Sequence, residues 1–240
     1  MKMDYVEEPT LRGERKTRAK IRGVTTGWEW WGALRFRLLK IARSARRQEF
    51  GFADRIGRGP ARQSLQINSQ ELEGHANEYL EIIGLAQEML LHIDPTKRNV
   101  LMRIGVFMDP PGSCVLGRHK DIYNERIKCD FSVWQVMLPL HVPHGSFETR
   151  FHAHEDPTVK FNIVADETTM TVFEAMRKHS APGNKTCEEK LMLQLVFVTD
   201  CLLDFELGRK EVREQFTDNK DIGDTSTQVG YCLENFVFRH

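Results

Sequence analysis

The 240-residue chain has the composition of an ordinary globular protein, with 40% hydrophobic and 28% charged residues and a formal net charge of zero. This zero hides an asymmetry, because the first 62 residues hold 16 Lys and Arg against 7 Asp and Glu, whereas the other 178 hold 18 against 27. The N-terminal stretch is polar, and no apolar run reaches the roughly 18 residues of a spanning helix, so we expect a protein that is not secreted and has no transmembrane segment.

Residues 1–62 are predicted to form a basic arm in front of a globular domain at 63–240. Residues 1–26 are charged and poor in apolar side chains, as in flexible segments, and Gly57, Gly59 and Pro60 indicate a linker. On this division, the domain at 63–240 should fold without the arm. The segment RGERKTRAKIRG contains a candidate nuclear-import signal made of Arg15, Lys16, Arg18, Lys20 and Arg22.

Residues 30–47 have the pattern of a basic amphipathic helix that begins with tryptophans. At about 100° per residue, one side is apolar and the other carries the cations. The apolar side could pack on the core of its own domain, lie in a membrane interface, or leave the indoles to stack on nucleic-acid bases. The candidate membrane- or nucleic-acid-binding residues are Trp28, Trp30, Trp31, Arg35, Arg37, Lys40, Arg43, Arg46 and Arg47.

The remainder of the chain predicts an α+β domain with a mainly antiparallel sheet and helices on one face. A helix should start at Asn68, which with Glu71 forms a capping box, and end at Asp94-Pro95. A second, short helix is predicted at 168–180. Strands are predicted at 99–108, 127–138, 146–154, 158–164, 190–198 and 227–238, the third and fourth forming a hairpin.

A cluster of histidines raises the question of a metal. His152 and His154 share one face of a predicted strand, and this His-x-His pair resembles the cupin metal motif, except that Glu155 follows directly instead of a few residues on. The alternative is a solvated hairpin face, which Glu148 and Arg150 favour. No nucleophile signature accompanies these residues, so the sequence predicts no catalytic residue, no cofactor and no metal. The remaining metal candidates are His141, His144, His152 and His154.

The basic segments RGERKTRAKIRG and WEWWGALRFRLLKIARSARR, set before a body without catalytic signatures, resemble the matrix proteins of negative-strand RNA viruses, including plant rhabdoviruses. The resemblance implies a non-enzymatic structural protein that self-assembles, binds anionic membranes and nucleocapsid or RNA, and takes no small-molecule substrate. It also implies residence in the host nucleus and cytoplasm, in part on membranes. Two alternatives stay open: a nucleic-acid-binding viral accessory protein, such as a silencing suppressor or movement factor, and a metal-dependent enzyme built on the His-rich hairpin.

Overall fold

Two antiparallel sheets and three helices make up the fold in the part of the chain that the structure describes. A computed structural model describes residues 3–10, 13–45, 55–56, 63–96, 98–113, 115–119, 131–143, 145, 147–152, 160–175 and 179–200. The helices are α1 (Trp31–Ala45), α2 (Ser69–Gly74) and α3 (Ala76–Ile93). None of these helices is both long and apolar enough to cross a membrane.

The larger sheet has seven strands in the order β1-β2-β10-β7-β12-β5-β4, and each of its pairings is antiparallel. The two longest pairings join β12 to β5 and to β7, so β12 lies in the interior of the sheet between these two strands. Its strands are β1 (Asp4–Thr10), β2 (Gly13–Ile21), β4 (Gln63–Gln66), β5 (Arg98–Asp109), β7 (Phe131–His141), β10 (Met170–Glu174) and β12 (Lys190–Asp200).

The smaller sheet has five strands in the order β3-β6-β11-β8-β9, also antiparallel. Along the chain, β5 to β12 alternate between the two sheets except for the β8–β9 hairpin, so the sheets are wound together as one unit. Its strands are β3 (Arg55–Ile56), β6 (Val115–His119), β8 (Phe147–His152), β9 (Lys160–Ala165) and β11 (His179–Ala181).

One face of the seven-stranded sheet is covered by α1 and α3. Their buried side chains, such as Leu38 and Ile82, join alternate residues of the central strands, such as Val136 and Leu193, in the main hydrophobic cluster. The helix that leads into this layer begins as predicted, because the Asn68 side chain accepts a 2.8 Å hydrogen bond from the backbone amide of Glu71.

The other face of the seven-stranded sheet packs against the five-stranded sheet. Met137 and Phe173 point from the larger sheet towards Phe151 and Ile163 of the smaller one, in a second hydrophobic cluster. The space between the sheets therefore has its own core, separate from the helix-covered one.

These observations confirm an α+β fold built on antiparallel strands. The strand predictions at 99–108, 190–198 and in the β8–β9 hairpin are also confirmed, whereas the strand predicted at 227–238 lies outside the described residues. The helix predicted at 168–180 is wrong: Met170–Glu174 and His179–Ala181 are strands, and all five residues of the first are buried. A strand covered on both faces loses the alternation by which it is recognised.

The predicted division at residue 62 stays a prediction, but the described contacts bear on it. Strand β2 pairs with β10 through Arg18 to Ile21, and α1 buries Trp31, Leu34 and Leu38 in the main cluster. We propose instead that these N-terminal elements belong to the same folding unit as the strands they contact.

Candidate functional site

Among the described residues, five arginine, glutamine and histidine side chains are buried between the two sheets, where a sandwich core is ordinarily apolar. Gln135 and Gln194 lie on the same faces of their strands as Met137 and Met192 of the inter-sheet cluster. Burying such groups costs free energy unless they are paired. They are therefore the first candidates for function. The set is Arg18, Arg103, Gln135, His179 and Gln194.

Most of this set falls in a single lateral row of the seven-stranded sheet. The Cα register runs from Arg18 to Phe173, then to Gln135, Val196 and Arg103. Adjacent strands lie about 4.8 Å apart, so the Cα atoms of the two arginines are roughly 19 Å apart, at opposite ends of the row. The row thus places a cation at each end and an amide in the middle.

Gln194 lies beside this row, on the same face of β12 as Val196 and two residues before it. Its Nε2 donates a 2.5 Å hydrogen bond to Oε1 of Gln135, whereas its own Oε1 has no hydrogen-bond partner in the described part of the chain. A buried acceptor left in this state costs about 1–3 kcal/mol. Packing gives no reason for this cost, which a bound hydrogen-bond donor would offset.

His179 faces this row from the smaller sheet. Its ring is 6% exposed and lies between two phenylalanines, with centroid distances of 5.1 Å to Phe173 and 5.9 Å to Phe151. The guanidinium carbon of Arg18 lies 5.2 Å from the centroid of Phe151, on the ring face. The histidine is therefore held by aromatic contacts, and the buried Arg18 guanidinium contacts one of the two rings, that of Phe151.

A second histidine position lies opposite His179. In the pairing of β11 with β6, the Cα partner of His179 is His119, the last residue of β6. The sequence continues as His119-Lys120-Asp121, of which Lys120 and Asp121 lie outside the described residues. This His-x-Asp motif is not among the metal candidates predicted from the sequence, because the histidine cluster further along the chain is denser. The spacing itself was visible, but only the strand pairing connects it to His179.

The histidines that the sequence singled out lie elsewhere or cannot be placed. His141, at the end of β7, lies 3.6 Å from a Glu167 carboxylate oxygen and 3.2 Å from one of Glu188. His152 ends β8, whereas His144 and His154 lie outside the described residues. Within the described chain, no three His, Cys, Asp or Glu side chains are grouped to hold a metal ion.

The tryptophans of the predicted binding helix contact one another and the body. Trp31 is buried beside the sheet, and Trp28 and Trp30 stack at 4.8 Å while half-buried. The Trp30 indole N–H donates a 3.1 Å hydrogen bond to Glu81 of α3. The apolar side of α1 therefore packs on its own domain, the first of the three alternatives.

The cations of α1 also pair within the chain. Arg37 forms a bidentate ion pair with Glu71, in which Nη2 donates to Oε1 at 2.7 Å and Nε to Oε2 at 3.1 Å, and Arg43 pairs with Glu189 at 3.2 Å. Arg35 pairs with Glu167 and donates to the Leu140 carbonyl. Lys40 is exposed, whereas Arg46 and Arg47 lie outside the described residues.

The candidate import signal coincides with β2. Arg18 is fully buried, Lys20 is half-buried and Arg22 is exposed, while the side chains of Arg15 and Lys16 are not described. A role of this segment in nuclear import stays a prediction.

Comparison with known proteins connects the fold to a group of solved enzymes. No protein-family model matches the chain, and no curated protein matches its sequence. Similar solved structures include the non-haem α-ketoglutarate-dependent epimerase SnoN from nogalamycin biosynthesis (17% identity, TM-score 0.53, covering 78% of this chain and 79% of that one). The carbocyclase SnoK of the same biosynthesis has 12% identity and a TM-score of 0.56, covering 80% of this chain and 86% of SnoK. A Pseudomonas putida prolyl-4-hydroxylase has 18% identity and a TM-score of 0.53, with 75% and 91% covered.

These likenesses correct the functional prediction. The resemblance to viral matrix proteins is wrong, and with it the prediction of a non-enzymatic virion protein that binds membrane and nucleocapsid and takes no small-molecule substrate. The similar structures are enzymes that act on small molecules or on prolyl residues, and one of them was solved with Fe3+ and α-ketoglutarate. The physical reason for the error is that α1 packs its apolar side on the sheet and pairs Arg35, Arg37 and Arg43 with carboxylates of the same chain. The chain shares the fold of non-haem, 2-oxoglutarate-dependent enzymes.

Proposed function

We propose that this protein is a non-haem iron enzyme that uses 2-oxoglutarate to oxidise an organic substrate. The observation that carries the proposal is the register of His119 opposite His179, with Asp121 two residues beyond His119. Two imidazoles and one carboxylate are the donor set that iron(II) takes in such oxygenases, with coordination positions left open for the reactants. The donor set of this chain therefore fits the metal, and His119, Asp121 and His179 are the residues assigned to hold it.

The inter-sheet row fits a dicarboxylate co-substrate. Arg103 supplies a buried positive charge, and Gln135 and Gln194 add buried amide groups. Lys190 lies further along the same face of β12 and is half-buried. Charge-assisted hydrogen bonds are the stronger kind, so we assign one carboxylate to a cation of this face and its orientation to the two glutamines. Arg103 and Lys190 are the candidates, and they lie too far apart along the strands to hold both ends of one molecule.

When bound, iron and 2-oxoglutarate would supply the oxidising chemistry: with O2, 2-oxoglutarate becomes succinate and CO2, and the second oxygen atom oxidises the substrate. The chain's own contribution is positioning. Phe151 and Phe173 hold the His179 ring in a fixed orientation, and the surrounding apolar side chains keep bulk water away.

Anaerobic calorimetric titration with Fe2+ tests the proposal. The wild type should bind one ion, and His119→Ala, Asp121→Ala and His179→Ala should each weaken binding at least tenfold. His141→Ala is the matched control, because His141 also sits on a strand end among carboxylates but away from the inter-sheet row. Wild-type protein with Fe2+, 2-oxoglutarate and air should then form succinate. Fe2+ binding that survives both His119→Ala and His179→Ala would refute the proposed function.

A further inference from the structure

Gln194 has a hydrogen-bond acceptor that the proposed binding of iron and 2-oxoglutarate does not use. The residue is 4% exposed, and its Nε2 donates to Oε1 of Gln135, so one end of the amide is fixed. Its Oε1 is buried and has no hydrogen-bond partner in the described part of the chain. An amide oxygen can only accept hydrogen bonds, so a group that donates one would satisfy it.

2-Oxoglutarate cannot supply this donor. At neutral pH both of its carboxyl groups are ionised, and carboxylate and keto oxygens only accept hydrogen bonds. The second hydrogen on Nε2 of Gln194 can orient a carboxylate, as assigned above, whereas Oε1 would repel it. The donor is therefore better sought on the molecule that the enzyme oxidises.

The neighbours of Gln194 indicate which kind of donor fits. Its register partner on β5 is Gly105, so β5 places no side chain directly beside the amide, and its partner on β7 is Met137. On the same face of its own strand, Met192 and Val196 flank it two residues away on either side. A charged donor would lose its hydration among these apolar groups, which favours a neutral one.

Gln194 is also within reach of the proposed iron site. Phe173, whose ring contacts His179 at 5.1 Å, is the register partner of Gln135, and Gln135 accepts the hydrogen bond from Gln194. Strand β12 lies two strands, or about 10 Å, from β10, a distance that a small organic molecule can span.

We infer that Gln194 is a specificity-determining residue that accepts a hydrogen bond from a hydroxyl group of a neutral alcohol substrate. The inference rests on the proposed function, because it names the substrate class of that site. A hydroxyl both donates and accepts, so it can pair with either end of the amide. A group that only accepts, such as a ketone, would leave the buried Oε1 unpaired.

Two matched pairs of probes test this inference: 1-phenylethanol with acetophenone, and cyclohexanol with cyclohexanone. The members of a pair have the same heavy atoms and differ in whether the oxygen can donate. Titrated calorimetrically into metal-free wild-type protein, each alcohol should bind at least about tenfold more tightly than its ketone. Gln194→Leu should abolish this preference, whereas Gln194→Glu, which keeps an acceptor, should retain part of it. Met192→Leu, an apolar swap on the same face of β12, is the matched control and should leave the preference unchanged.

The titrations are repeated with Fe2+ and 2-oxoglutarate bound, where the preference should persist. A preference that disappears when 2-oxoglutarate binds would assign Gln194 to the co-substrate alone and overturn the inference. Equal binding of alcohols and ketones by the wild type, as expected if a buried water satisfies Oε1, would also overturn it, as would a preference that survives in Gln194→Leu. If Fe2+ does not bind but metal-free protein shows a preference that depends on Gln194, only the proposed function is refuted. Gln194→Met, an unbranched replacement, covers the case in which Gln194→Leu does not fold.

Discussion

The two faces of the seven-stranded sheet differ in chemistry although they belong to the same strands. On the helix-covered face, the buried residues of β7 and β12 are apolar, as at Val136, Leu138 and Leu193. On the face towards the smaller sheet, the same strands place Gln135 and Gln194 among methionines and phenylalanines. Both faces are equally dry, so solvent exposure does not explain the difference.

The two faces differ in whether stability explains why each of their residues is buried. The helix-covered face is what a fold requires: burial of apolar area at about 25 cal/mol per Å². The inter-sheet face contains buried arginines and a buried acceptor without a partner among the described residues, and the unpaired acceptor lowers stability. Selection for stability alone would remove them. One face of the sheet therefore favours stability, whereas the other contains groups that lower it, and we expect the function on the second, inter-sheet face.

The largest expected effect is on stability, when the N-terminal elements that belong to the helix-covered face are deleted. Deleting residues 1–62 removes β2 and α1, exposing the edge of β10 and the apolar surface under α1. We expect the remaining chain to lose its single cooperative transition in thermal unfolding, followed by circular dichroism. Deleting residues 1–12 removes only the edge strand β1 and should leave a cooperative transition. A cooperative transition in the longer deletion would instead support an independent domain at 63–240.

A single substitution on the same face should lower stability without touching the site. Leu38 is fully buried in α1, so Leu38→Ala should reduce the free energy of unfolding by about 2–5 kcal/mol, measured by urea denaturation. Phe36, two residues away and 72% exposed, provides the control: Phe36→Ala should change stability by about 0.5 kcal/mol or less. Fe2+ affinity should be unchanged in both. A weakened Fe2+ site in Leu38→Ala would mean that the two faces are coupled.

Substitutions of the buried amides on the inter-sheet face should have the opposite effect: stability is kept or raised, and binding of 2-oxoglutarate is weakened. Replacing both amides, in Gln135→Leu with Gln194→Leu, removes a buried polar pair together with its unsatisfied acceptor. We expect stability between unchanged and about 2 kcal/mol higher, with 2-oxoglutarate affinity at least tenfold lower. Met137→Leu, an apolar swap on the same face, should leave that affinity unchanged. A double variant that is destabilised by several kcal/mol and still binds 2-oxoglutarate would show that the amides serve packing.

The helix-covered face was largely predictable from the sequence, and the inter-sheet face was not. Helical periodicity identified α1 and α3, and the Asn68 cap is visible in the four residues from Asn68 to Glu71. Local patterns suffice there because each helix presents one apolar side. Arg18, by contrast, was assigned to a solvated arm, since only the pairing of β2 with β10 reveals its burial.

The residues proposed to bind the metal depended on the same kind of long-range information. His119 and His179 are far apart in sequence, and a strand of five residues and one of three carry too little periodicity to be recognised. The density of histidines at 141–154 suggested the metal hypothesis from the sequence, whereas the opposed pair proposed here comes from two strands on either side of that cluster.

The smallest expected effect concerns a connection that belongs to neither face, the turn from β9 to β10. Asp166 accepts hydrogen bonds there from the Thr168 amide at 2.9 Å and from the hydroxyls of Thr168 and Thr169 at 2.8 and 2.7 Å. Partial burial by itself raises the pKa of Asp166, but these hydrogen bonds outweigh it, so the pKa lies below its usual value. A carboxyl whose pKa is lower in the folded state stabilises the fold above its unfolded pKa, near 3.9, and loses that contribution as the pH falls through the folded value.

Asp166→Asn should therefore lower the free energy of unfolding at pH 7 by less than about 1 kcal/mol, because the side chain is exposed and solvent screens its charge. The difference from the wild type should shrink below pH 4, where the wild-type carboxylate becomes protonated and both chains carry a neutral group. Thr168→Ala keeps the carboxylate but removes the hydrogen bond from the Thr168 hydroxyl, so the pKa of Asp166 in the folded state should rise. The stabilisation by the carboxylate should therefore be lost at a higher pH than in the wild type. Urea denaturation between pH 2.5 and 7 measures both effects. A deficit of the same size at every pH would mean that the shape of the turn, rather than the charge of Asp166, stabilises this passage between the two sheets.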